Sequence, residues 1–201
     1  MSYSNFTLKR VKQEFKLDII ENQDLFSAIE EVEISEYLST TLNYNVPLAL
    51  AISTEKARSE LIIANILLEL KRQLNDQISL FSGINLDVDK DRDLNGFCDY
   101  LLSRSSEQFY LSAPVVAIVE AKNEQVTVGL GQCVAEMIAA KIFNEREGNP
   151  VSPLYGAVTT GNHWKFLKYE DNVVYIDRLD YYVDKVQKII GILVKMVNLE
   201  A

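Results

Sequence analysis

Residues 114–123 read "PVVAIVEAKN", and this stretch constrains the fold more than any other. Five apolar residues, Val115 to Val119, are mostly β-branched and read as a strand from the middle of a core. The strand then runs straight into Glu120 and Lys122, separated only by Ala121. Side chains alternate along a strand, so both charged groups project from the same face as Val116 and Ile118. An ionised carboxylate entering a core is costly unless it is paired or metal-bound. Taken alone, "EAK" has an ordinary reading: an ion pair at a strand end, reaching solvent just past the core.

The neighbouring segments place that strand. Residues 5–32 carry an apolar, roughly helical pattern through Phe6, Leu8, Val11, Phe15 and Leu17, then Leu25, Phe26 and Ile29. Lys9, Arg10, Lys12 and Lys16 lie on its polar side and read as a solvated face, with phosphate contact as the minor alternative. Residues 33–52 predict a short helix at "SEYLSTTL" followed by "NVPLALAI", with Pro47 breaking the pattern. "STEKARSELIIANILLELKRQL" is the strongest helix, capped by Ser53 or Thr54, with Glu60 beside its apolar stripe.

From residue 78 the period changes. "ISLFSGINLDVD" and "FCDYLLS" predict a hairpin across the polar turn "DKDRDLNG". After "PVVAIVEAK", the segment "NEQVTVGLG" predicts a glycine-containing turn, with a helix opening at Gln132 and stopping near Gly148 and Pro150. A strand at "LYGAVTTG", a hairpin turning at Glu170–Asn172 and an amphipathic helix from Tyr181 complete the chain. The fold class is α/β: a mixed central sheet with helices on both faces. The expected organisation is an N-terminal extension over residues 1–52 packing on a core domain over 53–201.

The chain has 201 residues, 48% hydrophobic and 24% charged, which suits one globular domain. No uncharged apolar run reaches the roughly 18 residues of a membrane span. The opening "MSYSNFTLKRVKQEF" lacks a signal-peptide pattern. Cys98 and Cys133 sit in apolar sequence and read as reduced core thiols of a cytoplasmic protein. The net charge of −9 argues against a protein that coats nucleic acid non-specifically, because phosphate binding needs clustered Lys and Arg.

Several other features carry chemistry. Asp99 lies in the preceding strand, Glu60 in the long helix, and Gln132 on the helix after "EAK". In this order the residues resemble the PD-(D/E)XK nucleases, over roughly residues 53–160. Cys98 stands before Asp99 where the family pattern has proline. The resemblance implies a restriction-endonuclease-like core and a Mg²⁺ (or Mn²⁺)-dependent nuclease acting on DNA, with dimerisation expected by the same analogy. It implies that Asp99, Glu120 and the Ala121 carbonyl hold the metal, with Glu60 taking a second metal or an outer-shell water. Hard oxygen donors suit such an ion, which keeps several waters. Lys122 would serve the attacking water, its pKa depressed by desolvation beside the metal, and Gln132 would orient Lys122 or the nucleophile.

Other candidates fare worse. Gly129–Gln132 lacks a full phosphate-loop pattern and reads as a plain turn. His163 is the single histidine, so a zinc site with two scattered cysteines is not expected. Tyr181 and Tyr182 read as packing residues. The competing expectation is a non-catalytic interaction or regulatory protein that retains a nuclease-like scaffold.

Overall fold

The computed structural model describes residues 2–198. In chain order the elements are α1 (Leu8–Phe15), β1 (Asp18–Gln23), α2 (Glu36–Ile52), α3 (Glu55–Arg58), a π-helical turn (Ser59–Ile63) and α4 (Ala64–Gln73). Then follow β2 (Ser79–Asn85), β3 (Phe97–Ser103), β4 (Val115–Ala121), α5 (Val126–Arg146), β5 (Leu154–Thr159), β6 (His163–Glu170), β7 (Val173–Asp177), β8 (Tyr181–Tyr182) and α6 (Val186–Val197). The strands form one mixed sheet in the order β1-β7-β6-β5-β4-β3-β2, with β8 paired to β6. β4 runs parallel to β5 and β1 parallel to β7, while the remaining pairs are antiparallel.

The apolar run of β4 is buried at every position, as its sequence requires. One face of the sheet packs against α4 and α6, with α2 outside them; the other packs against α5, with α1 outside it. Thr7, Ser35 and Thr54 cap α1, α2 and α3, each accepting a backbone N–H three residues on. One helix among the described residues, α5, is long and apolar enough to cross a membrane, and 67% of that window is buried inside the protein. Cys98 and Cys133 are free, buried thiols in the α5 side of the core, as expected for reduced core cysteines.

Four sequence expectations are corrected. The helical pattern over 5–32 breaks at Lys16, whose φ of 54° ends α1 in the left-handed region. Asp18–Gln23 then pairs in parallel with β7, because an open sheet edge overrides weak local periodicity. Pro47 does not end α2; it lies inside the helix at an exposed position, where a missing hydrogen bond is tolerated. The last helix begins at Val186, since Tyr181 and Tyr182 join the sheet beside β6.

The fourth correction matters most for the site. α5 begins at Val126, so Gly129 and Gly131 are helical and Gln132 falls in the second turn. These glycines serve close packing rather than a turn. A Cβ at Gly129 would lie 2.6 Å from Val158 and 3.0 Å from Lys122. At Gly131 it would lie 2.3–2.5 Å from the backbone of Phe6, Thr7 and Leu8.

Gly→Ala in a helix interior normally adds stability. At Gly131 the new methyl meets backbone that cannot rotate away, so Gly131→Ala should destabilise by about 1–3 kcal/mol. That corresponds to a loss of several degrees in thermal unfolding, roughly 3–10 °C. An increase in melting temperature would mean that α1 does not lie against this turn of α5.

Candidate metal centre at the end of β4

Glu120 and Lys122 leave β4 on its α5 side. The Lys122 N–H donates to the Thr159 carbonyl at 2.8 Å, so the β4–β5 pairing holds this end of the strand in place. On the other flank, the Ala121 N–H donates to Asp99 Oδ2 at 2.8 Å. Asp99 therefore sits beside the end of β4 by a bond to its backbone, where its charge acts on Glu120.

Glu120 is only 1% exposed. Its Oε1 accepts from Lys122 Nζ, while its Oε2 is buried without a hydrogen-bond partner. Burial first, and Asp99 second, push its pKa up to about 8 against the opposing pull of Lys122. Burial works to lower Lys122, but Glu120, with Glu55 and Asp99 assisting, overrides it and shifts the ammonium upward. The depressed lysine expected from desolvation is thus not found in this setting.

Lys122 Nζ also donates to Gln132 Oε1 at 3.2 Å, and Gln132 Nε2 donates to Glu136 Oε1 at 3.0 Å. An ammonium can only donate, so it fixes the carboxamide: oxygen toward Lys122, nitrogen toward Glu136. Glu136 is completely buried, and its Oε2 has no partner. Burial, followed by the nearby Glu120 charge, raises its pKa well above the ordinary carboxylate range.

Glu60 stands apart from this chain of contacts. It lies on the π turn, with a side chain 64% exposed and 3.6 Å from Lys56 Nζ. The turn itself is tied down. The Tyr100 hydroxyl meets the Ser59 carbonyl at 3.1 Å, and Asn45 Nδ2 donates to the Leu61 carbonyl at 2.9 Å. Glu60, Glu55, Asp99, Tyr100 and Ala121 line one cleft of about 350 Å³. Four predicted residues, Asp99, Glu120, Lys122 and Gln132, are therefore brought into one contact chain, and Glu60 lines the same cleft as Asp99.

Two residues escaped the sequence reading. Glu136 follows Gln132 by four positions, which places both on one helix face, and that spacing was the available signal. Glu55, in the first turn of α3, borders the cleft and raises Lys122. The Gly129–Gln132 segment is inside α5, so its amides bond within the helix rather than forming a phosphate loop. His163 lies elsewhere, with Nε2 2.9 Å from Asp180 and its ring stacked on Tyr182. Tyr181 is buried as a packing residue, and Tyr182 is half-exposed.

Among the described residues, no three His, Cys, Asp or Glu side chains converge as an all-side-chain metal cage. Mg²⁺ needs fewer, since it retains waters and is satisfied by one or two carboxylates. The oxygen donors of Asp99 and Glu120, one of them an orphaned buried atom, fit that requirement. Comparison with known proteins finds no matching family model, no matching curated protein and no matching solved structure.

The buried acids should be visible in stability. Glu136 has a folded pKa above its unfolded value of 4.5, so its contribution is most favourable below that pH and declines as pH rises. Glu136→Gln keeps the shape and the bond from Gln132 but removes the ionisation. The variant should match wild type near pH 4–5 and melt higher at pH 8–9, by roughly 3–8 °C. Parallel melting curves at all pH values would show that Glu136 is not desolvated.

Proposed function

We propose that this chain is a metal-dependent nuclease that hydrolyses phosphodiester bonds in DNA, on a restriction-endonuclease-like core. One observation carries the reading: a buried carboxylate oxygen of Glu120 has no protein partner and lies beside a second acid, Asp99. A buried acid beside a second acid is unfavourable in its ionised form unless a proton or a cation compensates it. The mixed sheet flanked by helices, with these acids at neighbouring strand ends, supports the same assignment.

Asp99 and Glu120, with the Ala121 carbonyl, would hold Mg²⁺ or Mn²⁺. When bound, the ion would neutralise charge on the scissile phosphate and acidify a water. Lys122, kept charged by Glu120 and steadied by Gln132, would orient the attacking water and stabilise negative charge on the phosphoryl oxygens. Glu60, which lines the same cleft as Asp99, would hold a second cation or an outer-shell water.

The competing reading is a non-catalytic interaction or regulatory protein. The net charge of −9 favours it, since a polyanion meets an acidic chain slowly.

Plasmid, linear and branched DNA incubated with Mg²⁺ or Mn²⁺ separates the two. Wild type should cut, while Asp99→Ala and Lys122→Ala should each lose at least about 100-fold in rate. Equal turnover by all three proteins would identify a contaminant and sink the catalytic reading. Thermal unfolding tests the metal site by itself. Saturating Mg²⁺ or Mn²⁺ should add about 2.7 kcal/mol at 100 times the dissociation constant, and Glu120→Gln should abolish that gain. A metal shift without cleavage would favour the regulatory reading, and no shift in wild type would remove the metal site.

A further inference from the structure

Tyr182 is an aromatic side chain whose packing is one-sided. It belongs to the short strand β8, and 47% of it is exposed, while its neighbour Tyr181 is buried. Its ring stacks on His163, with centroids 5.0 Å apart and planes 18° from parallel. His163 is held in turn by Asp180, which its Nε2 meets at 2.9 Å, and Lys165 pairs with the same carboxylate at 3.0 Å. The tyrosine is thus a flat plate with a fixed backing on one face. What remains exposed borders a cavity of about 680 Å³ that Ile29, Tyr181 and Lys185 also line.

The sheet connects this plate to the acidic cleft. Ala121 pairs with Thr159, Thr159 with Trp164, and Trp164 with Tyr181. Tyr182 therefore stands at the same end of the sheet as Asp99 and Glu120, three strand spacings from the end of β4. At roughly 4.8 Å per spacing the separation is about 14 Å, which roughly four stacked nucleotides span at about 3.4 Å each.

Charge selects the kind of ligand. Among the described residues, the acids on the cavity wall are Glu31, Asp180 and Asp184. Asp180 is paired with Lys165, and Lys185 and Lys188 match the other two in number, so this wall is close to neutral in a chain of net charge −9. A duplex is gripped chiefly through its phosphates, which calls for clustered Lys and Arg. An unpaired base stacks on any flat aromatic face, and that contact depends little on net charge. A backed tyrosine on a neutral wall suits the second kind of recognition.

We propose that Tyr182, backed by His163, stacks an unpaired base of single-stranded DNA whose backbone continues to the cleft at the end of β4. The inference rests on the nuclease reading and narrows its substrate. The strand being cut is unpaired on one side of the scissile bond, as in a tail, a gap or a branch, rather than part of continuous duplex. Lys185, on the cavity wall, supplies a cation for a phosphate of that strand.

Fluorescence anisotropy on the full chain carrying Asp99→Ala, with Mg²⁺ present, reads binding without cutting. The probes are a labelled single-stranded DNA and the same sequence as a blunt duplex. The single strand should bind at least about 10-fold more tightly than the duplex. Tyr182→Leu keeps an apolar contact with His163 but removes the flat ring, and should weaken single-strand binding by about 10- to 100-fold. Tyr182→Trp should retain that affinity, and its added indole should lose fluorescence as the strand binds. Phe109→Leu changes an exposed aromatic at the other end of the sheet and should leave binding unchanged. Single-strand binding that is absent, weaker than duplex binding, unchanged in Tyr182→Leu or lost equally in Phe109→Leu overturns the proposal. Strong duplex binding with cutting by wild type would leave the nuclease reading standing without it. Single-strand binding through Tyr182 by a wild type that cuts no DNA would overturn the nuclease reading alone.

Discussion

The close approach of α5 to the sheet on one side and to the N-terminal segment on the other organises this molecule. At Gly129, Gly131 and Gly156 a single added methyl would come within 2.3–2.7 Å of a neighbouring atom. Gly156 lets Cys133 and Met137 rest on β5, Gly129 lets the helix sit on Val158 and Lys122, and Gly131 takes the backbone before α1. Packing this tight leaves no water between helix and sheet. It also sets the height of Gln132 and Glu136 above Glu120 and Lys122, so that hydrogen-bonded side chains connect two acids that lie well apart in sequence.

That arrangement concentrates charge where a core would ordinarily exclude it. Glu120 meets the ammonium of Lys122 directly, Glu136 is tied to it through Gln132 and Asp99 holds the adjoining backbone, while one oxygen each of Glu120 and Glu136 remains without a partner. Burying ions this way does not stabilise a fold, because desolvation exceeds what one ion pair returns. The upward shifts of Glu120 and Glu136 express the same imbalance. A local conflict between folding and electrostatics, confined to one end of one strand inside an otherwise consistent core, is typical of a site kept for chemistry.

The two outer helices show how similar elements come to different ends. α1 lies across α5 because Gly131 admits its backbone, and Val11 and Phe15 complete the core beneath it. α2 lies across α4 through Leu38, Leu42 and Ala49, yet it turns tyrosines and leucines outward, where α1 turns lysines. Lysines on an outer face need only water, whereas a row of large apolar groups gains by being covered.

The sequence by itself determined the α/β class, the strand–turn–strand order from residue 78 onward, and four members of the contact chain. Those features rest on local physics: a short β-branched run, alternating periods, capping residues and the cost of putting "EAK" at the end of an apolar strand. Only the tertiary structure decided the rest. Asp18–Gln23 became a strand because β7 offered an open edge, and Gly129–Gln132 became helix because the sheet required contact with no side chain between. Glu136 gained its place from a helix start six residues earlier than the glycines suggested. Glu60 reached the Asp99 cleft because Tyr100 and Asn45 hold the π turn. Local periodicity specifies which face of an element is apolar, but which neighbour meets that face, and how closely, depends on groups distant in the chain.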